Sequence, residues 1–180
     1  MNYMLLRGAV LVGLISLSAG APSSSSAQTS PAFDKLQPMA FLAGSCWKGT
    51  FTGRTVTDEH CFRWIMNGRF LRDHHVVRGD SVPYEGESTY AWDTEEKRIV
   101  YWYLALPGFY SHGNVEPAEN ALVFHDDLVT PTPRKLHITW TRSGPDAYMV
   151  RVDDVTDAPR LLWSMVMQRS RAAPDCINCN

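Results

Sequence analysis

Two-residue turns constrain this chain more than any other feature. Gly53-Arg54 and Asn67-Gly68 each separate runs rich in Val, Ile, Thr, Tyr, Phe and Trp. In a two-residue hairpin the facing residues keep a constant index sum, so the turn fixes which side chains share a face. Other links, Asp93 to Glu96 and Ser143-Gly144-Pro145-Asp146, are also short and favour antiparallel neighbours. Strands are expected at about 45–52, 55–64, 69–78, 84–92, 97–105, 109–115, 120–126, 134–142, 147–153 and 160–169, ten in simple succession. The helical candidate, Phe33 to Leu42, is interrupted by Pro38. A long meander without covering helices must hide its two edges, and closing on itself does so most completely. The expected fold is therefore all-β: an antiparallel up-and-down barrel with a short N-terminal helix, a β-sandwich being the alternative.

The first residues read as a signal peptide. A polar start containing Arg7 leads into an apolar run from Ala9 to Leu17, too short to span a bilayer, and then into Ser18-Ala19-Gly20-Ala21. Cleavage is expected after Ala21 or Ala27, and no cysteine follows the apolar run to carry a lipid. The expected organisation is a signal peptide and cleavage region over 1–27, a flexible tether and short helix over 28–40, a barrel over 41–170, and a tail over 171–180. Removing residues 1–27 leaves 180 − 27 = 153 residues, enough for one domain with a proper core. The net charge of −2 becomes −3 once Arg7 is lost, and no basic stripe is present. Nucleic acid and anionic membrane surfaces are thus unexpected partners. The expected location is the periplasm or the medium, with no stable membrane anchor after cleavage.

The segment Leu42-Ala43-Gly44-Ser45-Cys46-Trp47-Lys48-Gly49-Thr50-Phe51 resembles the first strand of lipocalin-like barrels, with Trp47 one residue further from Gly44 than the strict element has it. It is similar to bacterial lipocalin-like families of unknown function and, more distantly, to nitrobindin-type haem barrels. Gly68-Arg69-Phe70-Leu71 and the run from Tyr84 to Asp93 agree in style. The resemblance implies that a basic residue on the last strand packs across the first-strand tryptophan and plugs one end. Arg169 and Trp47 are placed for this. Haem is the cofactor that the resemblance implies. It would need an axial histidine near the C-terminal strands, and Leu161 to Gln168 contains none.

The turn rule then gives the register. Around Gly53-Arg54, Trp47 faces His60 and Cys46 faces Cys61, a pair expected to form a disulfide at a hydrogen-bonded rung. Four cysteines allow three connectivities, and Cys176-x-x-Cys179 reads as a local bridge or tail clip rather than a redox site. Around Asn67-Gly68, Trp64 faces Leu71, Phe62 faces Asp73 and His60 faces His75. Asp58, His60, Asp73 and His75 would share the interior with Trp47, Phe51, Phe62 and Trp64, unless a bulge after Asp73 turns His74 inward instead.

Such a group either satisfies itself with internal hydrogen bonds or forms the polar floor of a pocket for a small, partly apolar molecule. Trp47, His60, His75, Glu87 and Tyr90 are the expected ligand contacts, and Arg169, Cys46 and Cys61 the structural residues. Loop lengths leave open whether Glu85 and Glu87, or Tyr84, Ser88, Tyr90 and Trp92, point inward. Metal binding and catalysis, with His60 as a base oriented by Asp58 or Asp73, have no diagnostic spacing here, so neither metal ligands nor catalytic residues are assigned. A solid barrel acting through its surface is the remaining reading. N-terminal sequencing of the protein recovered from its own cells should begin at Pro22 or Gln28; an intact Met1 would remove the export reading.

Overall fold

A computed structural model describes residues 34–82, 84–106, 108–129 and 134–173. The expected leader, tether and Cys176-x-x-Cys179 tail lie outside the described residues. A 3₁₀ helix, Asp34–Met39, precedes ten strands. These are β1 (Ser45–Phe51), β2 (Thr57–Ile65), β3 (Phe70–Arg78), β4 (Tyr84–Asp93), β5 (Arg98–Ala105), β6 (Tyr110–Pro117), β7 (Ala121–Val129), β8 (Arg134–Arg142), β9 (Ala147–Asp154) and β10 (Arg160–Ala172). Each pairs antiparallel with the next, and β10 returns to β1, so the sheet closes into a ten-stranded up-and-down barrel. Among the described residues the closure leaves no edge strand, and the fold agrees with a lipocalin-like barrel.

The pairing follows the index sums. Cys46 faces Cys61 and Trp47 faces His60 across β1–β2, while His60 faces His75 and Phe62 faces Asp73 across β2–β3. The β2–β3 reversal needs left-handed backbone, and Met66, Asn67 and Gly68 supply it with φ of 49°, 57° and 77°. One detail differs from expectation. The Phe51 N–H donates to the Val56 carbonyl, which phases the β1–β2 ladder so that Cys46 and Cys61 fall on a non-hydrogen-bonded rung. Their Cα atoms are accordingly only 4.0 Å apart, and the two sulfurs are bonded.

One end of the barrel is plugged. Leu36, Met39 and Leu42 are fully buried, and the Trp47 indole N–H donates to the Leu42 carbonyl at 3.1 Å. Tyr148 meets the Trp47 ring edge-on at 5.1 Å. The Arg169 guanidinium lies 4.5 Å above the Trp47 ring, held by Asp146 at 2.8 Å, by the Pro145 carbonyl and by the Ser45 hydroxyl. Three partners fix its orientation, so the cation–π contact, worth about 0.5–1 kcal/mol at an exposed arginine, costs little additional ordering.

The disulfide closes a loop with a sequence separation of 15. Replacing both cysteines with alanine should lower stability by about 3 kcal/mol, read as a fall in the denaturant midpoint with m unchanged or larger, since the unlinked unfolded chain exposes more surface.

Candidate functional site

Side chains alternate along a strand, so the β2–β3 register places Asp58, His60, Asp73 and His75 on the inner face. Asp58, Asp73 and His75 are buried, with Asp73 only 1% exposed. Charged groups persist there only if they satisfy one another, and these do. One His60 nitrogen, Nδ1, lies 2.7 Å from Asp73 Oδ2, and the other, Nε2, lies 3.2 Å from Asp58 Oδ2. His75 Nδ1 lies 3.0 Å from Asp58 Oδ1, and its Nε2 lies 3.0 Å from the Tyr103 hydroxyl. Tyr103 and Tyr84 then share a 2.6 Å bond. A continuous chain therefore runs Asp73, His60, Asp58, His75, Tyr103, Tyr84. The His60 and His75 rings are stacked 4.4 Å apart at 14°.

Donor and acceptor counting fixes most of the protons. A carboxylate only accepts, so His60, bonded to one on each side, donates from both nitrogens and is an imidazolium. Burial alone would disfavour that charge, but Asp73 and Asp58 outweigh it and raise the His60 pKa well above its ordinary value. Burial likewise acts to raise Asp58, and the His60 and His75 rings more than reverse it, holding its carboxyl far below the usual range. Burial, with Tyr84 and the two aspartates, keeps the Tyr103 hydroxyl protonated far beyond the ordinary phenol range.

Glycine makes room for the chain. Gly86 on β4 faces His75, and a Cβ there would stand 2.5 Å from both His75 Nε2 and the Tyr103 hydroxyl. Only a residue without a side chain lets those two groups meet.

The polar chain forms one wall of a cavity of about 510 Å³. Tyr90, Tyr101, Phe124 and Trp140 face it from the other strands, and it reaches the surface beside Arg54, Asp80 and Val82, opposite the plug. His60, His75 and Tyr90 thus share one space. Trp47 does not line it, because Trp47 is sealed in the plug. Glu87 is also elsewhere: β4 turns Tyr84, Ser88 and Tyr90 inward, which leaves Glu87 on the outer face, ion-paired with Arg72. Unbroken pairing of β3 with β4 keeps His75 inside and sends His74 outward, 2.7 Å from Glu85. Tyr103 and Gly86 carried no signal in the sequence, and Tyr84 entered only within one of the two sets on β4 whose inward or outward direction was open. The parity of β5 joins Tyr101 to Tyr103, but the four-residue link before β5 does not give its register. The nitrobindin likeness finds no axial histidine on β10.

No protein-family model matches this sequence, and neither does any curated protein.

Stability contributed by His60 should be complete below the free imidazole value of about 6.5 and lost only as pH rises through its raised folded value. The Asp58 contribution runs the other way, present above the ordinary carboxyl range and lost as pH falls towards its depressed folded value. Imidazole ¹⁵N spectra should show His60 still doubly protonated at about pH 8, where a free ring of pKa about 6.5 has lost its proton. His60→Gln, which leaves two buried carboxylates without their cation, should cost about 3–5 kcal/mol at neutral pH in denaturant unfolding.

Proposed function

We propose that the chain is an exported barrel that holds a small, partly apolar molecule in its interior. The observation that carries this reading is the cavity of about 510 Å³, which falls in the ordinary range for small-molecule sites. Its walls combine aromatic rings with the polar groups of β2 and β3 and the Ser88 and Ser111 side chains, a composition that buries an apolar body and orients a polar end. The Cys46–Cys61 disulfide agrees with an oxidising compartment. No described helix is long and apolar enough to cross a membrane.

Two other readings each have an observation in their favour. Acid–base catalysis draws on the histidine–aspartate chain, yet both nitrogens of His60 and of His75 are already engaged, so neither ring offers a free lone pair to accept a proton. Surface interaction draws on Trp102, Leu104 and Tyr110, all more than half exposed on the outer face of β5 and β6. It would also expect a filled interior, which the cavity opposes.

The neutral dye N-phenyl-1-naphthylamine should bind saturably with enhanced fluorescence. Ile138→Trp, which fills the cavity from β8, should weaken it at least about tenfold, a loss of about 1.4 kcal/mol, with an unchanged far-ultraviolet spectrum. Dye binding that ignores this substitution would place the site outside the barrel and overturn the proposal.

A further inference from the structure

We propose that Asp58, His60 and His75 form a site for one divalent first-row transition-metal ion on the cavity wall. The three side chains come from two neighbouring strands: Asp58 and His60 are two residues apart on one face of β2, and His75 is the cross-strand partner of His60. One ligand atom from each lies within 4.8 Å of the other two. Asp58 Oδ2 stands 3.2 Å from His60 Nε2 and 3.2 Å from His75 Nδ1. Two ligands bound to one ion at about 2.1 Å, at angles between octahedral and tetrahedral, are separated by about 3.0–3.4 Å. Both oxygen–nitrogen spacings match; an ion would displace the Nε2 proton of His60, leaving that ring neutral, while His75 would stay neutral by carrying its one proton on Nε2.

The surroundings of the rings fit the same chemistry. Metal-bound imidazoles characteristically use the distal nitrogen to donate to a carboxylate or another acceptor, which fixes the tautomer and raises ligand basicity. The distal His60 nitrogen meets the Asp73 carboxylate at 2.7 Å, and the distal His75 nitrogen meets the Tyr103 hydroxyl at 3.0 Å. Asp73 is almost wholly buried, and its other oxygen has no hydrogen-bond partner among the described residues. The two carboxylates, Asp58 and Asp73, also balance the charge of a divalent ion between neutral imidazoles, so the filled site adds no net charge to a low-dielectric interior.

Two histidines and one carboxylate occupy one side of an ion and leave its remaining positions open. Here those positions would face the cavity, so water or a small oxygen or nitrogen donor would complete the coordination. Imidazole with carboxylate suits zinc, iron(II), cobalt(II) and manganese(II) rather than calcium or magnesium. The strands hold the set rigidly, and Gly86 keeps open the corner in which His75 and Tyr103 meet. The site does not depend on an organic ligand, and its readouts are separate from dye binding.

The test uses the full chain with Cys176→Ser and Cys179→Ser, so that the tail thiols offer no competing ligands. After treatment with chelator, cobalt(II) is titrated by visible absorption and zinc(II) by calorimetry. The expected result is saturation at one ion per chain, with zinc displacing cobalt. Zinc should move the ring resonances of His60 and His75 while leaving those of exposed His125 in place. Asp73→Asn should weaken binding about 10–100-fold with the barrel intact, as loss of a supporting carboxylate does, and His75→Gln should abolish it. No saturable binding of either ion by the folded parent, or binding that leaves both ring resonances unmoved, would overturn the proposal. The resonance test uses the parent barrel, so it stands even if His75→Gln fails to fold.

Discussion

The chemistry of this barrel depends on parity in the β2–β3 hairpin. With β2 held in place, shifting that pairing by one residue would turn Asp73 and His75 to solvent, bring Arg72 and His74 inside, and leave Asp58 and His60 without their partners. Two constraints oppose the slip. The left-handed turn at Met66 to Gly68 sets the register at one end, and the Cys46–Cys61 bond ties β2 to β1 near its middle. Closure adds a third, since β10 must meet β1 in a definite register after nine other pairings. An error anywhere in the meander would be passed to the seam.

Given that parity, the interior poses an electrostatic problem and solves it locally. Four ionisable side chains within an aromatic shell would be costly individually, because each would lose its hydration without recompense. Linked in series they satisfy one another, and the chain ends on Tyr103 and Tyr84, whose hydroxyls can both donate and accept. The aromatic rings are therefore more than packing. They lower the dielectric around His60, which strengthens its attraction to Asp73 and Asp58 even as it penalises the isolated charge.

The strand succession, the barrel closure and the β1–β2–β3 register were legible because short turns carry register in the sequence itself. The inward set on β2 and β3 followed from these index sums. What lay beyond was decided by longer links. The orientation of β4 could not be read, and Glu87 and Tyr90 were both named although they lie on opposite faces. Only the intact β3–β4 ladder separates them. The partnership of Tyr84, Tyr103 and His75 was hidden for the same reason, because it depends on the β4–β5 register. Trp47 was correctly placed on the inner face of β1, but position along the barrel axis distinguishes plug from cavity, and parity carries no information about height. The rung type of the disulfide was misread because Phe51 and Val56, not Thr52 and Thr55, close the β1–β2 ladder, which shifts every hydrogen-bonded rung by one.

The plug has a consequence for how the molecule can be handled. The Gly44 carbonyl accepts from the Ala173 N–H at 3.1 Å, so the described chain enters and leaves the barrel side by side beneath the Trp47–Arg169 lid. A reporter, an affinity handle or a surface linkage joined directly at Asp34 or Ala173, the first and last described residues, would sit at the plugged end, away from Arg54 and Asp80. The barrel can thus be immobilised in a single orientation with its open end towards solvent, which suits it to serve as a sensor scaffold whose attachment and sampling ends do not compete.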